Sequence, residues 1–386
     1  MRSIYLLGKD TADEWRLVTQ LGGNPNAFFR ATQRIAWGLT QPGMIRVDVV
    51  DTARKLVASH GKAFPAHLYA AWVWRARDPD RAARDLETAR ALAIDHPQIG
   101  LLPTEAEWRL EPTPQVLVEI IPGRIWRVAH QFPMAGSPLL RDSVATVIKL
   151  GSGDVAILNP VAFDERIARA IAQLGTVRWL IVQGKGHSAF VEPARRQFPE
   201  ALAVATEGHL RHQSAHHLTV DGVLGALALP AELERFPIAG HLFDEEMILD
   251  RPSKTLIAQD VIAFAGDVPA VSRMSAFAFG LVDPVGFASF SLLLWRSMPA
   301  LHASLAALRT ADIAHVLGAH GPIAPRAGDV ERMHALIDHV RGISGLGHKA
   351  MLARVFAAQP GFPRDLLRYL KDSKGKPGAR LSDSAA

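Results

Sequence analysis

The stretch ATVIKLGSGDVAILN, residues 145–159, decides the fold class. Two runs rich in β-branched and aliphatic residues flank Gly151-Ser-Gly153, a turn signal, so the stretch predicts a β-hairpin. Gly151-Ser-Gly153 matches part of the glycine pattern of dinucleotide-binding sites. Because these glycines join two strands and do not open a helix, a dinucleotide-binding site is excluded here. VLVEII and RIWRVAH, joined across Pro122–Gly123, predict another hairpin directly upstream.

Downstream of residue 159 the pattern alternates between helices and strands. The predicted order is a helix (162–174), a strand (177–183), a helix (192–198) and a strand (201–206), then a hairpin (245–260), a helix-rich stretch (284–310), a strand (312–321) and a helix (329–340). Hairpins on one side and alternating elements on the other predict an α/β sandwich, with two packed sheets covered by helices.

The residues before this region have a helical pattern. DRAARDLETARALAI, after Asp78–Pro79, repeats Ala and Leu at helical spacing. After the proline-rich link Glu111-Pro-Thr-Pro, the sequence changes to runs of β-branched residues, which marks a domain boundary. We therefore predict a helical N-terminal region (1–112), a sandwich domain (113–345), C-terminal helices (346–370) and a disordered basic tail (371–386).

Composition restricts the chemistry that the 386 residues can support. The chain has no cysteine, which excludes disulfides, thiolate nucleophiles, iron–sulfur clusters and cysteine-type zinc fingers. Its 16 histidines leave histidine and carboxylate as the available metal ligands. Neither a P-loop nor a G-x-S-x-G nucleophile elbow occurs.

Charge and hydropathy argue against nucleic acid and membrane partners. The net charge is +5, of which +2 belongs to the last sixteen residues, where four basic and two acidic side chains occur. No basic run is interleaved with aromatic residues, so no nucleic-acid partner is predicted. The most apolar window, residues 285–295, is too short to span a membrane, and Ile4–Leu7 is too short for a signal peptide, so we expect a cytoplasmic protein.

Four residues capable of metal ligation fall where a predicted buried strand runs out into a loop. They are His187, His241, Asp260 and His320. Neutral imidazole nitrogens with one anionic oxygen form a site suited to zinc, iron or manganese.

The order of these motifs resembles the metallo-β-lactamase superfamily over roughly residues 115–345. Gly240–His241, nineteen residues before Gln259–Asp260, resembles the second and third motifs, and His320–Gly321 resembles the last. His187 resembles the final histidine of the first motif, H-x-H-x-D-H. The resemblance implies a four-layer αββα sandwich that holds one divalent metal ion. Zinc is the first candidate for this ion, and iron and manganese are the alternatives.

The chain departs from the family pattern in that first motif. Its other three positions hold Val182, Gly184 and Gly186, so only four of the seven family ligands remain. The resemblance thus implies a single metal held by His187, Asp260 and His320, while His241 belongs to the site that has lost its partners. Gln183-Gly-Lys-Gly-His187 and Ser253–Asp260 also resemble an uncharacterised branch of the superfamily that lacks the full histidine cluster.

These features predict a mononuclear metal-dependent hydrolase of a small ester, thioester, amide or phosphoester. Asp260 and His187 are its candidate catalytic residues, and Lys185 or Ser188 could bind an anionic group of a small-molecule substrate. The alternative is a degenerate, non-catalytic member that binds a small ligand or a protein partner, without a metal. A third hypothesis places the function in residues 1–112; a homo-oligomer is compatible with each.

Ordinary structural roles remain open for every candidate. His187 could cap its loop by contacting backbone carbonyls, Asp260 could be a turn residue that binds nearby N–H groups, and His320 could belong to a strand-end turn. Two further groups have the same ambiguity. The first is a histidine group that could bind a metal but is expected to be exposed on a short helix (His209, His212, His216, His217). The second is an aromatic stripe that could line a pocket or pack in the core (Phe277, Phe279, Phe287, Phe290, Trp295).

Overall fold

The computed structural model describes most of the chain between residues 25 and 349. The described residues are 25–40, 48–95, 99–133, 140–184, 187–210, 219–241, 244–264, 285–286, 295–349 and 380–381. Most of the predicted C-terminal helices and basic tail therefore lie outside the described residues. So do Lys185, Gly186, three of the grouped histidines and the four phenylalanines of the aromatic stripe.

The N-terminal part of the described chain is helical, as predicted. Its helices are α1 (Pro25–Thr40), α2 (Val49–His60), α3 (Phe64–Trp74), α4 (Pro79–Leu92) and α5 (Glu105–Arg109), with a 3-10 turn at Ile99–Leu101. The side chain of Asp48 caps α2 and that of Asp78 caps α4, each by accepting a backbone N–H three residues on. Every residue of α3 except His67 is buried among residues of the other helices, so these helices share a core of their own.

The first sheet contains both predicted hairpins and the strands that follow. Its strands are β1 (Val118–Ile121), β2 (Ile125–Pro133), β3 (Leu140–Lys149), β4 (Asp154–Leu158), β5 (Thr176–Val182), β6 (Leu202–Ala205) and β8 (Gly222–Val223), in that spatial order. β1 to β4 pair antiparallel, whereas β4, β5, β6 and β8 pair parallel. The parallel half requires crossovers, and α6 (Glu165–Leu174) and α7 (Val191–Gln197) supply two of them.

The second sheet is formed later in the chain. Its strands are β9 (Leu233–Pro237), β10 (Glu246–Asp250), β11 (Thr255–Ala258) and β14 (His315–Gly318), in the spatial order β14-β11-β10-β9. β10 and β11 form the predicted hairpin, and β11 pairs parallel with β14. The remaining elements are α8 (Glu207–Leu210), β7 (Thr219–Val220), β12 (Ala263–Phe264), β13 (Val285–Gly286), α9 (Met298–Thr310), α10 (Asp329–Arg341) and β15 (Arg380–Leu381).

Alternation along the strands places four layers on top of one another. In β4, Ile157 packs with α6 and α7 on one face, while Leu158 belongs to the apolar layer between the two sheets. In β10, Ile248 joins that same inner layer, while Leu249 packs with α9 and α10 on the outer face. The predicted αββα sandwich is therefore confirmed, because each sheet buries one face on helices and the other on its partner sheet.

The two sheets are also joined at one edge by a backbone hydrogen bond. The N–H of Val144 in β3 donates to the carbonyl oxygen of Ala319, just after β14, at 2.8 Å. This bond brings the beginning of β3 next to the carboxyl end of β14. In the described part of the chain, no helix is long and apolar enough to cross a membrane.

Candidate metal centre

Three of the four predicted ligands follow the carboxyl ends of strands at this edge. Asp260 lies two residues after β11 and His320 two residues after β14, and the parallel pairing of these strands puts both at one end of the second sheet. His187 follows β5 of the first sheet, five residues beyond its end. Packing of the two sheets then brings His187 to the same place.

The three side chains converge on one carboxylate oxygen. Oδ1 of Asp260 lies 3.4 Å from Nε2 of His187 and 3.5 Å from Nε2 of His320. One ligand atom from each residue lies within 4.8 Å of the others. Among the residues that the structure describes, these three form the group that could hold a metal ion. The sequence motifs therefore identified three residues that the fold does bring together.

The donor set fits a single divalent metal ion. A tetrahedral ion with bonds of about 2.0–2.2 Å separates its ligand atoms by roughly 3.3–3.6 Å, which matches both measured N–O separations. A charge-assisted hydrogen bond between the same groups would be shorter, at about 2.7–2.9 Å. Two imidazoles and one carboxylate are ligands that zinc, iron and manganese accept, with further coordination positions left for water or substrate.

The electrostatic environments of Asp260 and His320 favour opposite charges on the two groups. Burial by itself would raise the pKa of Asp260, but His187 and His320 outweigh it and hold that pKa well below its usual range. Burial would likewise lower the pKa of His320, yet the carboxylates of Asp142 and Asp260 raise it to about 10. A cation such as a metal ion can replace the proton that these carboxylates attract.

Two consecutive residues of β3 contact the far sides of the histidine rings, and sequence reasoning missed both. Oγ of Ser143 lies 2.9 Å from Nδ1 of His187, and Oδ2 of Asp142 lies 3.8 Å from Nδ1 of His320. Both are buried. No local motif marks them, because only the juxtaposition of β3 with the ends of β5 and β14 gives them this role.

Glu245 supports the backbone around Asp260. Its carboxylate accepts hydrogen bonds from the N–H groups of Gln259, Asp260 and Val261 at 2.7, 2.8 and 2.6 Å. The side chain of Asp260 itself accepts from Nε2 of Gln259 at 3.1 Å. Asp260 does lie in a turn, but these three backbone N–H groups are bound by Glu245 and not by the Asp260 side chain.

The loop after β14 is held by a buried arginine and a glycine. The guanidinium of Arg127 donates to the carbonyl oxygens of Gly318, Pro322 and Ile323, and burial lowers its pKa to about 9. Gly321 has a φ of +97°, and a Cβ there would lie 2.8 Å from the Cβ of Phe264. Both features restrict the path of the chain immediately after His320.

His187 and His320 both lie in loops that directly follow strands, so the strand-end turn expected for His320 agrees with the structure, and both rings make further contacts. The rings of His187 and His320 contact Ser143, Asp142 and Asp260 instead of serving only as caps of their own loops. His187 has a φ of +57°, a left-handed conformation that is uncommon for residues other than glycine. A metal-ligating role for these residues remains a prediction.

His241 does not join this group in the described part of the structure. It is 2% exposed, and its backbone forms an isolated bridge with Trp295, a core residue. The positions of two missing family ligands, Val182 and Gly184, are buried and offer no donor side chain. The arrangement that the structure shows is therefore one three-residue site, without His241.

The secondary candidates differ from expectation in one case. Ser188 is partly buried and directly follows His187, and no hydrogen bond from its side chain to the three ligands is found in the described structure. His209 was expected on an exposed helix face, but it is fully buried and its Nδ1–H donates to the carbonyl oxygen of Gly184 at 3.2 Å. That expectation was wrong because α8 packs against the end of β5. Trp295 packs in the core.

Comparison with known proteins finds similarity only among solved structures. No family model matches the chain, and no curated protein matches it significantly. The metallo-β-lactamase FIM-1 from Pseudomonas aeruginosa, in its mono-zinc form, is 16% identical, with 60% of this chain and 97% of that chain covered and a TM-score of 0.40. The metallo-β-lactamase from Hirschia baltica is 15% identical (58% and 98% covered, TM-score 0.42). That from Pontibacter korlensis is 13% identical (59% and 97% covered, TM-score 0.39). These three solved structures are metallo-β-lactamases, whose fold the sequence motifs predicted.

Proposed function

We propose that the chain is a hydrolase dependent on a single metal ion held by His187, Asp260 and His320. The observation that carries the proposal is that Nε2 of His187 and Nε2 of His320 lie 3.4 and 3.5 Å from one oxygen of Asp260, separations that suit ligands around one ion better than charge-assisted hydrogen bonds. Zinc is the first candidate, with iron or manganese as alternatives.

The metal, when bound, would polarise a carbonyl or phosphoryl oxygen and increase the acidity of water. Asp260 keeps its negative charge at neutral pH because its pKa is held low. The side chain of His320 is 39% exposed, whereas those of His187 and Asp260 are 7% and 18% exposed. A small ester, thioester, amide or phosphoester would therefore approach from the side of His320.

A non-catalytic binding protein is the second candidate function. The specific observation that favours it is the loss of the first motif, because buried Val182 and Gly184 stand where the family has ligands. Glu245 is poorly suited to act as a general base, because its carboxylate accepts hydrogen bonds from three backbone N–H groups.

Metal analysis of the purified full chain tests the proposal. Protein from metal-replete growth should carry about one equivalent of zinc, iron or manganese, and Asp260→Ala should remove it. His241→Ala is the matched control, since it should keep the metal. Metal-free wild-type protein would overturn the proposal.

Activity measurements separate the two candidate functions. Chromogenic esters, thioesters, β-lactams and phosphodiesters should be tested with the wild type, Asp260→Ala and the chelator-treated protein. Hydrolysis that chelation abolishes and zinc restores supports the hydrolase. A protein that binds no metal and hydrolyses none of these substrates, with or without added zinc, would favour the binding protein.

A further inference from the structure

Asp142 and Ser143 contact the one nitrogen of each ring that faces away from Asp260. His187 presents Nδ1 to Ser143 at 2.9 Å and Nε2 to Asp260 at 3.4 Å. His320 presents Nδ1 to Asp142 at 3.8 Å and Nε2 to Asp260 at 3.5 Å. The two rings thus have the same arrangement, with a polar residue of β3 on one side and the shared carboxylate on the other.

The orientation of each imidazole ring matters because the ring can be flipped by 180° about its Cβ–Cγ bond. That rotation exchanges Nε2 with a carbon atom, and carbon cannot ligate a metal. A hydrogen-bond acceptor beside Nδ1 favours the orientation that keeps Nε2 towards the metal, and it also favours the tautomer with the proton on Nδ1. A carboxylate and a hydroxyl oxygen can both act as that acceptor.

β3 is a rigid support for these two side chains. It pairs with β2 over its entire length, with Gln131 opposite Asp142 and His130 opposite Ser143. The N–H of Val144 then ties β3 to Ala319, next to His320. Asp142 and Ser143 are 5% and 3% exposed, so water competes little for their contacts.

We propose that Asp142 and Ser143 are positioning residues that orient His320 and His187, so that both Nε2 atoms face the metal site beside Asp260. This inference rests on the proposed metal site but adds residues to which the family motifs assign no role. Neither residue touches the reacting atoms; each acts through one histidine.

Zinc affinity of the full chain, measured by chelator competition, tests the proposal. Ser143→Ala and Asp142→Asn should each weaken zinc binding by about 10- to 100-fold while one ion is still bound. Ser143→Thr keeps a hydroxyl and should retain most of the affinity. Thr146→Val is the matched control, because Thr146 lies buried on the same strand and its hydroxyl makes no hydrogen bond in the described structure.

Nitrogen-15 spectra of the histidine side chains supply a second measurement that general destabilisation does not mimic. In the zinc-loaded protein, Ser143→Ala should change the Nδ1–H signal of His187, and Asp142→Asn that of His320, whereas Thr146→Val should change neither. Circular dichroism checks that each variant is folded, and Asp142→Ala provides a second variant at that position.

The outcomes distinguish this proposal from the proposed function. Wild-type protein that binds zinc together with variants that bind it equally well would overturn the positioning roles and leave the metal site intact. Wild-type protein that binds neither zinc, iron nor manganese would overturn the proposed function. In that case the zinc-free spectra decide the ring contacts: signals that change in Ser143→Ala and Asp142→Asn support them, and unchanged signals overturn them.

Discussion

Glu245 binds the backbone of Asp260, with its Oε2 accepting the Asp260 N–H at 2.8 Å and the Val261 N–H at 2.6 Å. Its other oxygen accepts the N–H of Gln259 at 2.7 Å. The carboxylate is buried, and burial raises its pKa to about 7, against the opposing effect of the three N–H donors. One carboxylate therefore determines where the central residue of the metal site lies.

Glu245→Gln should weaken both folding and metal binding. An amide has a single oxygen, so its NH₂ group must face at least one backbone N–H, and that donor loses its acceptor. We expect a loss of roughly 1–3 kcal/mol in the free energy of unfolding, measured by urea denaturation, and about a tenfold loss of zinc affinity. Glu246→Gln is the control, because Glu246 pairs with Arg235 and should affect stability only. Equal zinc affinity in both variants would contradict the supporting role.

Gly321→Ala should be more destabilising than Gly153→Ala. Both glycines have positive φ, +97° and +88°, but a Cβ at Gly153 meets nothing within 4 Å, whereas one at Gly321 meets Phe264. The conformational strain should be about 1–2 kcal/mol in each variant, and the steric overlap adds about 1–3 kcal/mol at Gly321. Thermal melting compares the two, and similar losses would show that the contact with Phe264 relaxes without penalty.

Arg127→Met should loosen the loop that carries His320. The substitution leaves three carbonyl oxygens without their guanidinium donor, and each unsatisfied group costs about 1–3 kcal/mol before relaxation. Arg124→Met is the matched control, since Arg124 binds Asp250 and Glu232 instead. Both variants should lose stability, but only Arg127→Met should also lose zinc affinity. A loss of affinity in Arg124→Met as well would indicate a general effect.

The helical part should show a pH dependence from His67. Its Nδ1 lies 2.8 Å from the Asp85 carboxylate and its Nε2 lies 3.0 Å from the Gly61 carbonyl oxygen. Both partners are acceptors, so the charged imidazolium satisfies both, and Asp85 raises the pKa of His67 above 6.5. The stabilisation is fully present below pH 6.5 and is lost as the pH rises through the folded-state pKa.

His67→Gln should therefore reduce the fall in stability that the wild type shows as the pH rises above 6.5. Urea denaturation at a series of pH values measures it. Asp85→Asn should flatten the same region, because it removes the charge that raises the pKa of His67. An unchanged slope in both variants would show that the pair contributes no pH-dependent stability.

Much of the architecture could be predicted from local patterns. The turns at Pro122–Gly123 and Gly151–Gly153 join hairpins as expected, and Arg251–Ser253 turns β10 into β11. Alternation along β4 and β10 determines which side chains face the other sheet. These features depend on residues close together in sequence, so the sequence contains them directly.

The sequence by itself determined the two-sheet fold and four candidate ligands, each where a predicted strand runs out into a loop. Only the tertiary structure decided that His187, Asp260 and His320 meet, that His241 lies apart, and that Asp142, Ser143 and Glu245 support the group. The physical reason is separation along the chain: Ser143 lies 44 residues from His187, and His187 lies 73 residues from Asp260. Contacts across such distances are set by how the sheets pack, and no local pattern of residue types encodes them.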